Sequence, residues 1–275
     1  MSAHVYLITE GVHDVFFLGK IFRKAFALDK LEEHSKLDEI WNHILPSWPY
    51  KNSLRPSVPA PTFYGNASFS VALVNADGID NIKTRLHNHS SVFTREGVIL
   101  DAVGVVLDAD FEHAKQMTPA QRFDQMSDVL TSCNLPCPSA LEVVGGTPRT
   151  GIYILPGGGA HGTLEDILLE CAAIVYPTLG CRAVRFIDGL DLDAPEFTSR
   201  DLKDLRGLSG RNKAVLGAMG AVLKPGKPIQ ASIEDHHWIE PRTLALPRVA
   251  AIVQFLGELL GAPPGGVTAQ GAATG

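Results

Sequence analysis

The sequence predicts an α/β domain with a mainly parallel sheet flanked by helices, and two observations carry that prediction. First, apolar β-rich runs alternate along the chain with segments whose apolar residues recur at helical spacing. Second, Asp101 and the run Ala102–Leu107 lack any alternation of polar and apolar residues. A run of this kind has no face to give to water and reads as a strand buried on both sides.

Each element follows from its own pattern. His4–Thr9 (HVYLIT) is a β-rich run that stops at Glu10-Gly11. Val12–Leu28 carries Val15, Phe16, Leu18, Ile21, Phe22, Ala25 and Phe26 at helical spacing, giving strand, tight turn and helix. Glu10 then stands at a strand's carboxyl end. Asp14 falls in the first helical turn, where the helix dipole alone is a reason for an acid. From about residue 29 to residue 66 the pattern loosens. Pro46, Pro49, Pro56, Pro59 and Pro61 predict a partly helical insertion followed by an extended loop, in which Trp41, Trp48 and Tyr50 either stack on bases or, in the plainer reading, anchor it on the core. Phe69–Asn75 (FSVALVN) is the next strand, closed by Ala76-Asp77-Gly78, and Ile79–Asn88 the next helix. The apolar strand ending in Asp108-Ala109-Asp110 follows, then a helix over Pro119–Cys133.

Gly151–Leu155 is another strand, Pro156 and three glycines make a turn, and Thr163 caps a helix with the stripe Leu164, Ile167, Leu168 and Ala172. Glu165 and Asp166 compensate the dipole in its first turn. A glycine-rich turn entering a helix can cradle an anion, but this one lacks both the Gly-Lys-Ser/Thr end of a P-loop and GxGxxG. Downstream, Ala183–Ile187 reads as a strand, and Asp188, Asp191 and Asp193 as a solvated loop without calcium-loop spacing. Ser199–Leu205 and Gly210–Leu223 read as helices. Arg211 and Lys213 start the second, where cations oppose the dipole, which favours a functional use. Asp235-His236-His237 reads as surface, Thr243–Leu260 as a closing helix, and 261–275 as a disordered Gly/Ala/Pro-rich tail. One domain is expected over residues 1–260.

Composition narrows the function. With 275 residues, 45% of them hydrophobic, the chain can bury one large core. A formal charge of −6 argues against holding nucleic acid through a broad basic surface. It leaves a nuclease open, because divalent ions on a carboxylate site invert the charge a phosphate meets. Four cysteines without CxxC spacing indicate a reduced, cytoplasmic chain and no zinc site. The first residues lack the pattern of a signal peptide and no apolar stretch is long enough to span a bilayer, so the expectation is a soluble protein with no membrane partner.

The chemistry concentrates at Asp108 and Asp110. Two positions apart, they leave the strand on the same side, close enough to share a cation, at the sheet edge where α/β proteins bind ligands. A solvated strand end with a turn-forming Asp is the plainer reading. The motif Thr9-Glu10-Gly11-Val12-His13-Asp14 after a first strand, with Leu107-Asp108-Ala109-Asp110 ending a later one, resembles the TOPRIM domain of topoisomerases, primases and OLD-family nucleases. Gly151-Ile152-Tyr153-Ile154-Leu155-Pro156 followed by Gly162-Thr163-Leu164-Glu165-Asp166 is similar to stand-alone TOPRIM-like proteins related to the OLD nucleases.

The resemblance implies a TOPRIM-like fold and a two-metal nuclease. Glu10, Asp14, Asp108, Asp110, Thr163 and Glu165 would be the metal-binding set for Mg²⁺ or Mn²⁺. Asp108 would bridge, Glu10 and Asp110 would flank it, and Asp14 and Glu165 would be outer ligands or orient water. Lys213, with Lys203 and Lys224 as other candidates, would stabilise charge on the phosphate beside the catalytic acids Glu10, Asp108 and Asp110. The implied partner is nucleic acid, DNA ahead of RNA. Since no ATPase domain precedes this part and the insertion is long, a separate ATPase partner is in view, and a homodimer is left open. Two alternatives stand beside the nuclease: a non-catalytic metal- or partner-binding module, and an Asp-x-Asp phosphatase or phosphotransferase, whose acid pair would be expected on the first strand.

Overall fold

The computed structural model describes residues 2–46, 60–93, 100–109, 117–207 and 209–262. In chain order these form β1 (Ala3–Thr9), α1 (Val12–Ala25), β2 (Asp29–Leu31), β3 (Thr62–Gly65), β4 (Phe69–Asn75), α2 (Ile79–Phe93), β5 (Ala102–Asp108), α3 (Pro119–Ser132) and β6 (Arg149–Leu155). Helices follow: α4 (Leu164–Val175), α5 (Pro177–Asp188), α6 (Gly210–Leu223), α7 (Ile229–Asp235), α8 (Pro241–Leu244) and α9 (Pro247–Leu260). The strands make one six-stranded sheet in the order β2-β3-β4-β1-β5-β6. β4, β1, β5 and β6 run parallel, and β2 and β3 add an antiparallel edge. The expected α/β fold with a mainly parallel sheet is therefore present.

The central strands are apolar because both faces are covered. Val5 and Leu7 of β1 enter one core with residues of α1, α4, α6 and α9, while Tyr6 and Ile8 enter a second with residues of α2, α3 and Trp41. The period of two sends neighbours in sequence into opposite cores. Gly104 and Gly151 are partners across β5 and β6, and together they open room for α9. A Cβ on Gly104 would stand 2.6 Å from Leu259, and one on Gly151 would stand 2.7 Å from Phe255. Phe255 in turn packs at 5.1 Å on the ring of Tyr153.

Four expectations are corrected. Ala183–Ile187 is not a strand: it lies inside α5, where Leu179, Ala183, Val184 and Ile187 form a helical stripe against the first core. Ser199–Leu205 is a series of turns, pinned by Asp201, whose carboxylate accepts from Thr198 N–H and Oγ–H. The closing helix does not start at Thr243; α8 ends at Leu244 and α9 begins at Pro247, after an extended Leu246. A residue before proline is biased to that conformation, and proline lacks the N–H a continuous helix needs. The insertion supplies strands β2 and β3 as well as short 3₁₀ turns at His34–Lys36 and Glu39–His43. Residues 47–59 of its expected loop and 263–275 of the expected tail lie outside the described residues. No described helix is long and apolar enough to cross a membrane.

Candidate metal centre

From β1 the chain passes to β4 on one side, then crosses to β5 on the other, so the strand order reverses between β1 and β5. In open α/β sheets this reversal leaves a crevice at the carboxyl edge. Thr9, the last residue of β1, pairs with Asn75 and Val106, and Asp108, the last of β5, pairs with Leu155. Glu10 and Asp108 therefore leave neighbouring strands on either side of the reversal. Backbone hydrogen bonds continue past the strands and fix these ends. Ala76 N–H donates to Thr9 O at 2.9 Å, Gly78 N–H to Glu10 O at 2.9 Å, and Ala109 N–H to Leu155 O at 2.8 Å.

Two helix amino termini close on the same edge. Gly11 N–H donates to Asp14 Oδ2 at 2.8 Å, a side-chain cap that turns the Asp14 carboxylate back over the start of α1. At α4, Thr163 N–H donates to Asp166 Oδ2 and Leu164 N–H to Asp108 Oδ1, both at 2.9 Å. The second bond clamps the end of β5 to the start of α4, bringing Thr163 and Glu165 to Asp108. The amides that would cradle an external anion at α4 are thus engaged by the chain's own carboxylates. In the glycine turn, Gly158 N–H likewise donates to Glu142 Oε1 at 2.8 Å.

The electrostatics show that the acids form one cluster. Burial pushes the Asp14 carboxyl up to about 7; the Glu10 and Glu165 charges add to this, while the Gly11 N–H and His13 oppose it. Asp108 is raised well above the carboxylate range by burial, then by Asp14, Glu165 and Glu10. Like charges at close range disfavour one another's ionisation. Glu165 moves the other way. Burial acts to raise it, but the His13 ring, the Thr163 hydroxyl and the Lys213 charge bring it below its ordinary value.

Within this cluster the Lys213 charge is felt at Glu165. Its neighbour Asn212 donates to Asp166 Oδ1 at 2.9 Å, which sets the start of α6 against the start of α4. Lys224 is instead paired with Asp235, and Lys203 lies exposed among turns. Arg211, at the same helix start as Lys213, makes a two-pronged pair with Asp188 at 2.7 Å, so one acid of the Asp188–Asp193 loop is engaged.

Of the residues singled out from sequence, Glu10, Asp14, Asp108, Thr163, Glu165 and Lys213 come together, and Asp110 lies outside the described residues. Among the described residues no group of three or more His, Cys, Asp or Glu side chains is set around a single point as a metal site. The donor chemistry nonetheless suits a hard divalent cation: carboxylate and hydroxyl oxygens on rigid strand and helix ends. Glu165, 4% exposed, and Thr163, 2% exposed, present Oε2 and Oγ1 without a hydrogen-bond partner. Leaving such groups unsatisfied costs about 1–3 kcal/mol each, more for a charge. A cation offers the missing partner, so these residues fit one.

Two participants went unassigned from sequence. His13 stands with Nδ1 3.9 Å from Glu165 Oε1, and its only forewarning was a place beside Asp14 in the first turn. Asp166, read as dipole compensation, is also the anchor of α6. Its position three residues after Thr163 is the capping-box signature, but the 46-residue separation from Asn212 left no local trace.

The chain belongs to the DUF3226 family, described as a protein of unknown function, whose profile matches residues 4–260. In structure it is similar to the hypothetical protein PH0156 from Pyrococcus horikoshii OT3, at 15% identity and a TM-score of 0.48, over 94% of this chain and 95% of that one. The curated proteins contain no match to it.

Proposed function

We propose that this DUF3226 protein is a metal-dependent nuclease of the TOPRIM kind, which hydrolyses or nicks phosphodiester bonds with Mg²⁺ or Mn²⁺. One observation carries the reading: the ends of β1 and β5 and the start of α4 bring Glu10, Asp14, Asp108 and Glu165 into mutual electrostatic contact at the strand-order reversal. Four acids so placed repel a phosphate unless cations intervene. When bound, two divalent ions supply an activated water and stabilise the leaving oxygen of an in-line displacement.

The chain's residues then divide the work. Asp108, with Oδ1 fixed by Leu164 N–H, keeps its other oxygen for a shared ligand. Glu10 would flank it from the end of β1, with Asp14 and Glu165 on the helix side, and the flanking role that the resemblance gives Asp110 falls on a residue outside the described ones. Lys213 neutralises charge that builds on the phosphate. In this reading the substrate is nucleic acid, DNA ahead of RNA. The protein acts in the cytoplasm with a separate ATPase partner and as a monomer or homodimer. The substrate and partner points rest on the sequence resemblance, and the cytoplasmic setting rests on four cysteines without CxxC spacing.

The test is cleavage of supercoiled plasmid, linear DNA and a structured RNA with Mg²⁺ or Mn²⁺, beside Glu10→Ala and Asp108→Ala. Cutting that requires metal and vanishes in both variants is expected. Cutting that survives in both would place the activity elsewhere. A non-catalytic metal- or partner-binding module is the second reading, favoured by the lack, among the described residues, of three donors around one point. Mn²⁺ binding without cutting of any substrate would select it.

A further inference from the structure

We infer that His13 is a nitrogen ligand of this centre, and that it tilts the site toward Mn²⁺ and other nitrogen-tolerant cations over Mg²⁺. The inference rests on the metal-centre reading above and deepens it by naming the metal class.

His13 lies in the first turn of α1, one residue before the buried Asp14. Its ring reaches across to α4, with Nδ1 3.9 Å from Glu165 Oε1. That is beyond an ordinary hydrogen bond, for which 2.7–3.2 Å is usual. The ring therefore stands beside the carboxylate without closing a bond on it. The His13 side chain is 35% exposed and that of Glu165 is 6% exposed, so the imidazole stands on the solvent side of a buried acid.

The independent sign of a ligand is on Glu165 itself. While Oε1 faces His13, Oε2 is buried without a partner, and the buried Thr163 Oγ1 is also unbonded. A cation seated among these oxygens would satisfy both, with the imidazole beside Oε1 as a nitrogen donor.

Carboxylate and water ligands alone suit Mg²⁺ and Mn²⁺ alike, while imidazole favours transition metals in the order that places Mn²⁺ below Fe²⁺ and Co²⁺. Exchanging one oxygen for one nitrogen therefore disfavours Mg²⁺ without closing the site to Mn²⁺.

The full chain, cleared of metal with chelator, is loaded with Mn²⁺ and examined by pulsed electron paramagnetic resonance for coupling to a directly bound ¹⁴N. Calorimetric titration with Mn²⁺ and with Mg²⁺ accompanies it, and both are repeated on His13→Gln and His13→Ala. The wild type is expected to show nitrogen coupling, and both variants to lose it. Mn²⁺ affinity should fall at least about tenfold, the scale on which lost metal-site partners act, with a smaller change for Mg²⁺. Bound Mn²⁺ without nitrogen coupling, or coupling that persists in both variants, would overturn the role of His13 and leave the carboxylate centre standing. Failure of the wild type to bind Mn²⁺ at all would overturn the centre as well. The wild-type spectrum decides the point even if a variant misfolds.

Discussion

Asp14 concentrates the tension of the site. It is 5% exposed, it caps α1 through Gly11 N–H, and its neighbours are acids. An acid raised from 3.8 to about 7 is favoured in its protonated form by the fold. Between those two values the unfolded chain has lost the proton and the folded chain keeps it, so stability falls as pH rises from about 4 to about 7. Above that window the whole cost is present. Asparagine keeps an oxygen for Gly11 N–H and removes the charge. Asp14→Asn is therefore expected to raise stability in chelator at pH 8 by on the order of 1–3 kcal/mol, less than the full shift implies because the neighbouring acids readjust. Urea titration at pH 8 and pH 5 checks this, with little difference expected at pH 5. A loss of stability at pH 8 would mean that the cap, not the charge, dominates. At this scale the sequence was informative: Glu10, Asp14 and Asp108 were visible because each follows an apolar run or opens a helix. His13 was not, since a histidine in a first turn gives no local sign of the carboxylate it faces across the fold.

Among the elements, α4 and α6 share a core and are further joined at their amino ends by a single carboxylate. Asp166 accepts from Thr163 N–H with one oxygen and from Asn212 with the other, so the cap of one helix is the anchor of the next. Lys213 is adjacent to Asn212, so the anchor also holds the backbone that carries the charge felt at Glu165. Asn212→Ala is expected to cost about 1 kcal/mol, the worth of one hydrogen bond. On the nuclease reading it should lower cleavage in the same direction as Lys213→Ala while Mn²⁺ affinity stays near that of the wild type. Calorimetry and plasmid cleavage on both variants check this, and undiminished cleavage in Asn212→Ala would show that α6 holds its place without the anchor. The elements legible in sequence were those with long or unmixed patterns, as β5 and α1 were. β2 and β3 were missed because strands of three and four residues in an irregular stretch carry almost no periodicity, and their strand character comes from pairing, β3 with β4 and β2 with β3. The run Ala183–Ile187 misled because Val184, Phe186 and Ile187 favour strands intrinsically, while the helix is set by packing on the core.

Across the whole molecule two titrating regions, one at the carboxyl edge of the sheet and one on its α2 side, pull stability in opposite directions. On the α2 side, Tyr6 Oη is 2.7 Å from His89 Nδ1, and burial pushes the Tyr6 hydroxyl far up, so it stays protonated and donates. Burial, with the Arg85 charge, depresses His89 to about 4 from 6.5. A histidine kept neutral by the fold contributes stability above its unfolded value, and this is lost as pH falls from about 6.5 through about 4. On the metal-centre side the raised acids remove stability as pH rises over a similar range. The thermal midpoint in chelator should therefore vary weakly between about pH 4 and 6.5, where the two slopes oppose, and decline from there toward pH 7 and above, where only the acids still titrate. A cation that binds the folded chain stabilises it by mass action, and does so more where the acids are ionised. Mn²⁺ should thus raise the midpoint several degrees at pH 8 and little at pH 5. His89→Gln should remove the acid-side loss and leave the alkaline-side decline and its rescue by Mn²⁺ unchanged, because His89 is not among the groups that shift Asp14, Asp108 or Glu165. Thermal scans of both proteins at pH 5 and pH 8, with chelator and with Mn²⁺, provide the check. Equal stabilisation by Mn²⁺ at both pH values would mean that the cation binds somewhere other than the coupled acids.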